Sequence, residues 1–383
     1  MPQTAAPYWR LSAYYFVYFA ALGAFLPYWT LYLEHRGFSA LEIGQLMAIL
    51  AGTKIIAPYL WGWVADHSGQ RLRLIQFGAL FAALCFIGVY YADSLALMSL
   101  VMLLFSFFWN AGLPQFEATT LHFLGKDCHR YSHIRLWGSI GFIITVLCFG
   151  PLLDRAGVSI LPHLVLGLFL LIWFSTLHVP AETQPTAHTQ LRYSVIPTIR
   201  QPTVLVILCI SFLMQFSFGP YYAFFSIFLE ANAYSKSSVG LLWSLGVIAE
   251  IFVFLNMHRL LARFDSRYLL LFCFAATIIR WFVVANFIDQ PWLIVATQLL
   301  HAFNFGMYHA VMIHLIHRYF PAPLQGRGQA LYSSLSFGAG GALGAFIAGY
   351  AWDSYGGGAV FQFAAGVGLV GMLLSLFLKA EHH

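Results

Sequence analysis

Long apolar stretches separated by short polar segments follow one another along nearly the whole chain. A helix needs about 20 residues to cross the roughly 30 Å hydrocarbon core of a bilayer. The pattern therefore predicts an all-α membrane protein with twelve transmembrane helices and no room for a soluble domain. The predicted spans lie near residues 8–34, 41–64, 72–91, 94–123, 134–152, 159–178, 203–230, 238–258, 267–287, 291–319, 328–351 and 359–378.

The longest polar segment, residues 179–202, contains four prolines and no helical apolar period. It is predicted to be a cytoplasmic linker. The linker would join an N-terminal six-helix bundle, residues 1–178, to a C-terminal six-helix bundle, residues 203–383.

Two short sequence matches indicate that the halves repeat. Residues 33–44, LEHRGFSALEIG, resemble residues 229–240, LEANAYSKSSVG, at an offset of 196. The segment 150–157 resembles 349–356 at an offset of 199. Parallel repeats of six spans are typical of transporters whose substrate site lies between the halves near the middle of the membrane.

Composition and charge placement support this interpretation. Only 9% of residues are charged, whereas soluble domains have about 25%. If the N-terminus is cytoplasmic, thirteen of the nineteen Lys and Arg residues fall on inner loops and ends, and three on outer loops. Such an asymmetry predicts that both termini are cytoplasmic. The expected location is a bacterial inner membrane. Arg10 precedes an apolar run that is too long for a secretory signal, so that run is predicted to be the first span.

Five charged residues fall inside or near the predicted spans: Lys54, Glu117, Arg135, Glu250 and Arg280. A charge at the bilayer centre costs about 2.5–3.5 kcal/mol, so a role in substrate or ion binding is the first hypothesis. The alternative is that they form internal ion pairs. Two acids against three bases leave a surplus positive charge, which favours an anionic substrate. Lys54 corresponds to Glu250 at the offset of 196 and could either neutralise it or bind a carboxylate.

The tenth span adds a polar face formed by His301, Asn304 and Tyr308 at i, i+3 and i+7. Histidine titrates near neutral pH, so His301 could act in a proton relay. The alternative is that His301 is a hydrogen-bonded residue that only packs the helices together. The spacing of the later histidines is not that of a metal site. The sequence shows no nucleophile–base pair or output domain, so we expect neither an enzyme nor a sensor, no cofactor and no nucleic-acid partner.

The loop between the second and third spans reads Gly62–Trp–Val–Ala–Asp66–His–Ser–Gly69–Gln–Arg71–Leu–Arg73. It resembles the signature loop of the major facilitator superfamily. The resemblance implies a gating role, in which Gly62, Asp66, Gly69 and Arg71 hold the cytoplasmic faces of neighbouring helices in one state. A solvated loop that obeys the positive-inside rule would explain the arginines, although not the glycines and the aspartate.

The set of charges inside the spans resembles that of the lactose permease branch of this superfamily. The string Arg135–Leu–Trp–Gly–Ser, the segment Tyr234–Val247 and the pair Arg280–Trp281 are most similar to the 3-phenylpropionate transporters. The resemblance implies the following site. Glu117 and Arg135 would contact the substrate. Glu250 would link the substrate to the C-terminal half, and Arg280 and His301 would take part in proton coupling.

Two departures from the branch bear on mechanism. Asn304 stands where the permease has its proton-carrying glutamate, and Phe142 replaces the tryptophan on which a sugar ring stacks. Proton coupling is therefore predicted to involve Glu250, Glu117, His301 and Arg280. Substrate is predicted to contact Arg135, Glu117, Lys54, Phe142, Glu250 and Asn304.

The sequence predicts a major facilitator fold of two pseudo-symmetric six-helix bundles, acting as a monomer. The expected function is proton-coupled import of a small organic solute, such as an aromatic carboxylate, by alternating access. A sugar or nucleoside symporter is the main alternative, and a proton-driven exporter is a further one.

Overall fold

The computed structural model describes residues 7–180 and 194–378, and every regular element in these ranges is helical. Residues 181–193, which form most of the predicted linker, lie outside the described residues. The described end of the linker forms a short helix, Ile196–Ile199. The predicted all-α class is confirmed for the described part of the chain.

Six helices precede the linker, and each matches one predicted span. Residues 87–91 and 158–160 form short 3-10 turns at the end of the third helix and before the sixth. The helices are α1 Tyr8–His35, α2 Ala40–Ser68, α3 Arg71–Phe86, α4 Leu95–Leu124, α5 Tyr131–Ala156 and α6 Leu161–Leu177.

Four further helices follow the linker: α7 Pro202–Ala231, α8 Lys236–Arg263, α9 Ser266–Asn286 and α10 Pro291–Tyr319. The last of these contains a π-helical turn, Ala302–Met307, between two α-helical parts.

The remaining helical stretch, Ala322–Ser375, has 54 residues. At 1.5 Å per residue it would measure about 80 Å, more than twice the thickness of the hydrocarbon core. Gly356 interrupts it, because its φ of +77° and ψ of 163° are not helical. The stretch therefore provides two helices, α11 (residues 325–355) and α12 (residues 357–375), as the sequence predicted. A second π-helical turn, Ser334–Gly340, lies within α11.

Eleven helical segments of the described chain are long and apolar enough to cross a membrane, and the break at Gly356 divides the last of them into two. The chain folds into two compact units. Unit 1 comprises Met1–Arg36 and Ile56–Gln190, and unit 2 comprises Gly37–Ile55 and Leu191–His383. Helix α2 thus contributes its first half to unit 2. The predicted boundaries of the two bundles, at residues 178 and 203, remain a proposal.

A close backbone approach occurs in each unit and supports the internal repeat. In unit 1, a Cβ atom at Gly141 of α5 would overlap the carbonyl oxygen of Phe16 in α1. In unit 2, a Cβ atom at Gly340 of α11 would lie 2.6 Å from the carbonyl oxygen of Phe212 in α7. The phenylalanines are 196 positions apart and the glycines 199, which are the offsets found in the sequence. Glycine is needed at both sites because a side chain would push the helices apart.

The starts of α2 and α8 repeat as well. Ser39 and Glu42 form a capping box, in which the backbone N–H of Ser39 donates to the Glu42 carboxylate at 2.8 Å. Ser235, 196 positions later, caps α8 by accepting from the backbone N–H of Ser238 at 3.1 Å. Equivalent caps start equivalent helices in the two halves.

Candidate functional site

A fully buried arginine, Arg280 of α9, lies at the centre of a polar cluster in unit 2. Its Nη1 lies 2.7 Å from Nδ1 of His301 and donates to Oδ1 of Asn304 at 3.4 Å. Its Nη2 donates to Oε1 of Gln298 at 3.0 Å. All three partners are on α10, so Arg280 joins α9 to that helix through its two terminal nitrogens.

His301 links this arginine to an acid on α8. Its Nε2 lies 2.7 Å from Oε1 of Glu250. An arginine only donates hydrogen bonds, so Nδ1 of His301 must accept from Arg280 and carry no proton. The proton of a neutral imidazole is then on Nε2, where it donates to Glu250. This tautomer follows from the hydrogen-bond partners.

Aromatic rings pack around Arg280 and His301. The guanidinium carbon of Arg280 lies 4.4 Å from the ring centroid of Tyr221 and 4.6 Å from that of Trp281, within the range of cation–π attraction. The ring of Phe305 stacks on His301 with a centroid distance of 5.3 Å and an interplanar angle of 8°. These contacts hold the charged groups in a low-dielectric site, where their interactions are stronger than in water.

The local backbone makes room for the cluster. The π-helical turn Ala302–Met307 follows His301 directly and contains Asn304. Such turns occur frequently at functional sites. A Cβ atom at Gly246 of α8 would lie 3.0 Å from Cδ2 of His301, and one at Gly306 would lie 3.3 Å from Cγ of Glu250. Larger residues at these two positions would displace the imidazole or the carboxylate.

Lys54, on the part of α2 that belongs to unit 2, is half-buried. No hydrogen bond or ion pair joins it to any described residue, so the hypothesis that it neutralises Glu250 finds no contact in this structure. Its neighbour Ile55 would collide with a Cβ atom at Gly338, which shows close packing of α2 on α11 at this level.

The predicted site residues of unit 1 form a second group. The hydroxyl of Tyr131 donates to Oε1 of Glu117 at 3.1 Å. Arg135 instead lies over the ring of Phe19, with its guanidinium carbon 3.8 Å from the ring centroid. Among the described residues, no ion pair within 4 Å joins Arg135 to an acid. Gly138 makes room for this arrangement, because a Cβ atom there would lie 2.8 Å from Nη1 of Arg135.

Phe142 is buried on α5 and packs against α1. A Cβ atom at Gly23 would lie 3.3 Å from Cδ2 of Phe142 and 2.9 Å from its carbonyl oxygen. Its predicted contact with substrate remains a proposal.

The signature loop joins the end of α2 to the start of α3. Oδ1 of Asp66 lies 2.8 Å from Nη2 of Arg71, and Gly69 between them has a φ of +63° that favours glycine. Asp66 is 64% exposed, so the ion pair contributes at most about 1 kcal/mol. Gly62 lies one helical turn earlier, with the amide of Gln115 3.5 Å from its potential Cβ position.

Two members of these clusters were missed by sequence reasoning. Gln298 precedes His301 by three residues in an apolar span, and that i, i+3 spacing could have placed it on the same face. Tyr131, at the start of α5, had no comparable signal, because a tyrosine at a helix end is usually an interfacial anchor.

The apolar spans of the described chain, together with the buried cluster around Arg280, define the class of protein. Ionisable groups held inside a membrane bundle mark the pathways of substrates and ions, so the fold and the site are those of a membrane transporter. The MFS_1 like family matches residues 8–363, and the chain belongs to this family. The match confirms the predicted major facilitator fold.

Similar proteins agree with this class. The chain is 30% identical over 376 residues to a probable 3-phenylpropionic acid transporter of Escherichia coli (strain K12), covering 95% of this chain and 96% of the relative. It is 26% identical over 372 residues to the maltose permease of Geobacillus stearothermophilus, with coverages of 95% and 93%. The crystal structure of the nucleoside transporter NupG superposes with a TM-score of 0.85 at 17% identity, covering 97% of this chain and 98% of that chain. All three are transporters, as expected for a chain that is not an enzyme.

Proposed function

We propose that the protein is a proton-coupled symporter that imports a small aromatic carboxylate, such as 3-phenylpropionate, by alternating access. The observation that carries this proposal is the continuous hydrogen-bonded chain from Glu250 through His301 to Arg280. An acid, a titratable imidazole and a permanent cation in one buried cluster can change their pairing when a proton binds. Such a change biases a protein between two conformations.

Glu250 is the proposed proton carrier of unit 2. Asn304 cannot titrate, and His301 accepts from Arg280 at Nδ1, so the carboxylate is the group in this cluster that can take a proton without losing a hydrogen bond. Glu117 is the proposed second protonation site, in unit 1, where Tyr131 holds one carboxylate oxygen.

The proposal of an anionic substrate rests on cations that lack acidic partners. In unit 2, His301 stands between Arg280 and the carboxylate of Glu250, and Lys54 has no ion pair to any described residue. In unit 1, Arg135 lies on an aromatic ring and not on Glu117. A carboxylate would neutralise such cations, and a guanidinium can bind it through two parallel hydrogen bonds.

Two unpaired donors in unit 2 extend this argument. Nδ2 of Asn304 and Nε of Arg280 are buried and have no hydrogen-bond partner among the described residues. A buried donor without a partner costs about 1–3 kcal/mol. A substrate oxygen or a water molecule that accepted from these donors would recover that free energy, which supports a substrate-binding role for Asn304.

The signature loop supports the proposed gating role. The ion pair of Asp66 with Arg71 and the left-handed Gly69 hold the ends of α2 and α3 together at the predicted cytoplasmic face. A largely exposed pair is weak enough to break during a transport cycle. Gly62 allows Gln115 to approach α2 closely. The charge asymmetry supports the proposal that both termini lie in the cytoplasm. We also propose that the protein is a monomer in the bacterial inner membrane.

A sugar or nucleoside symporter is the second candidate function. Similarity to a maltose permease over 95% of the chain favours it. The replacement of the sugar-stacking tryptophan by Phe142 and the unpaired cations favour the aromatic carboxylate.

A ligand screen by thermal unfolding of the purified protein separates the two candidates. A ligand that binds only the native state at 100 times its Kd stabilises it by about 2.7 kcal/mol. We expect 3-phenylpropionate to raise Tm, and the uncharged alcohol 3-phenylpropanol, a matched control, to leave it unchanged. Stabilisation by maltose or a nucleoside, with none by aromatic acids, would contradict the proposed substrate class.

A further inference from the structure

Gln298 is a fully buried amide whose two ends are both satisfied. Its Oε1 accepts from Nη2 of Arg280 at 3.0 Å. Its Nε2 donates to Oγ1 of Thr297 at 3.1 Å and to the carbonyl oxygen of Ile294 at 3.4 Å. Because its nitrogen is held by α10 itself, Gln298 presents its oxygen to Arg280 in one fixed direction.

The position of Arg280 determines which form of His301 the cluster can accept. At 2.7 Å, Nη1 of Arg280 needs a lone pair on Nδ1 of the imidazole. A protonated imidazolium would direct an N–H bond at the arginine and place two positive charges side by side. While Arg280 stays in place, an incoming proton is therefore excluded from His301 and adds to the Glu250 carboxylate, which becomes neutral.

We infer that Gln298 is the positioning residue that keeps Arg280 against His301 and so directs the coupled proton to Glu250. Gln298 acts through Arg280 and touches neither the acid nor the imidazole. Without its oxygen, Nη2 of Arg280 would lose its acceptor, and the guanidinium could rotate away from Nδ1. This inference rests on the proposed proton coupling and identifies what controls the site of protonation.

The titratable and charged groups that face His301 come from three helices. They are Glu250 on α8, Arg280 on α9 and Tyr221 on α7, whose ring centroid lies 5.7 Å from that of the imidazole. On α10 itself the polar neighbours, Gln298 and Asn304, do not titrate. Arg280 is thus the group whose displacement would allow His301 to become an imidazolium next to the Glu250 carboxylate.

Acid-induced infrared difference spectra of the purified protein in lipid membranes test this inference without substrate or a pH gradient. In the wild type, acidification should produce a carboxylic-acid band that Glu250→Gln removes. In Gln298→Met, which has a similar volume and no acceptor, that band should fall at least about twofold. An imidazolium signal that His301→Asn removes should appear in its place.

Two further variants separate positioning from structural damage. Gln215→Met makes the same change at another buried glutamine of unit 2 and should leave the spectrum as in the wild type. Gln298→Glu keeps an oxygen that can accept from Arg280, so no imidazolium signal from His301 should appear. The imidazolium signal is the readout for this variant, because the new carboxyl group adds a carboxylic-acid band of its own.

The possible outcomes distinguish the role of Gln298 from that of Glu250. A Gln298→Met spectrum identical to the wild type, or the same change in Gln215→Met, would overturn the role of Gln298 and leave Glu250 as proton carrier. A wild-type spectrum without any band from Glu250 would contradict both this inference and the proposed proton carrier. If Gln298→Met does not fold, an imidazolium signal in Gln298→Glu would overturn the inference.

Discussion

At the scale of single residues, the contacts of Arg280 and Arg135 differ most from those expected of simple ion pairs. Arg280 contacts one imidazole and two amides, and it reaches Glu250 only through His301. Arg135 lies on a phenyl ring, and no ion pair within 4 Å joins it to an acid among the described residues. Both guanidiniums are held mainly by neutral groups, so their positive charge remains available to an anion.

Arg135 provides a prediction at this scale. Arg135→Lys keeps the charge but loses the planar fork that can bind a carboxylate through two hydrogen bonds and stack on Phe19. Two lost hydrogen bonds to a charged group correspond to about 1.5–3 kcal/mol each, so we expect KM for 3-phenylpropionate uptake to rise at least about tenfold. The change is measured by initial uptake rates in proteoliposomes.

The matched control is Arg155→Lys, at an exposed position near the other end of α5. It should leave KM within about twofold of the wild type, as expected for a surface charge. Equal effects of the two substitutions would contradict a substrate contact at Arg135.

At the scale of helices, hydropathy alone predicted the spans, because a bilayer requires long apolar segments whatever their partners. Ser39 and Ser235 mark the starts of α2 and α8, because serine is a preferred N-cap residue. The π-helical turn Ala302–Met307 could not be predicted, since it depends on how α10 packs against α8 and α9. The sequence identified His301 and Arg280 as candidates but not Gln298, whose oxygen accepts from Arg280.

The repeated glycine contacts give a prediction at this scale. Gly141→Ala would place a Cβ atom against the backbone of α1, where no side-chain rotation can relieve the overlap. Overpacking of this kind costs about 1–3 kcal/mol, so Tm should fall by several degrees. The repeat copy, Gly340→Ala, should lower Tm in the same way.

Gly167→Ala in α6 is the matched control, because nothing lies within 4 Å of its potential Cβ. Replacing a helical glycine that has free space around it by alanine is favourable by up to about 1 kcal/mol, so Tm should stay constant or rise. A Gly141→Ala protein as stable as Gly167→Ala would show that α1 and α5 do not approach each other so closely.

At the scale of the whole molecule, the two halves repeat at offsets of 196 and 199, but matching positions hold residues of different charge. Lys54 stands in one copy where Glu250 stands in the other. Unit 2 holds the hydrogen-bonded cluster of the proposed proton coupling, and unit 1 holds an acid bound by a tyrosine hydroxyl and an arginine that lies on a phenyl ring. Divergence of the repeats would let one half respond mainly to the proton and the other to the substrate carboxylate.

Uptake of 3-phenylpropionate into proteoliposomes with an imposed pH gradient tests the central proposal most directly. The wild type should accumulate the acid above its external concentration when the interior is alkaline. A protonophore should abolish this accumulation. Because Glu250→Gln cannot release a proton, it should lose accumulation while retaining exchange of internal for external substrate. Liposomes without protein correct for passive entry of the neutral acid. Protein-dependent accumulation that persists after the gradient is collapsed would contradict proton coupling.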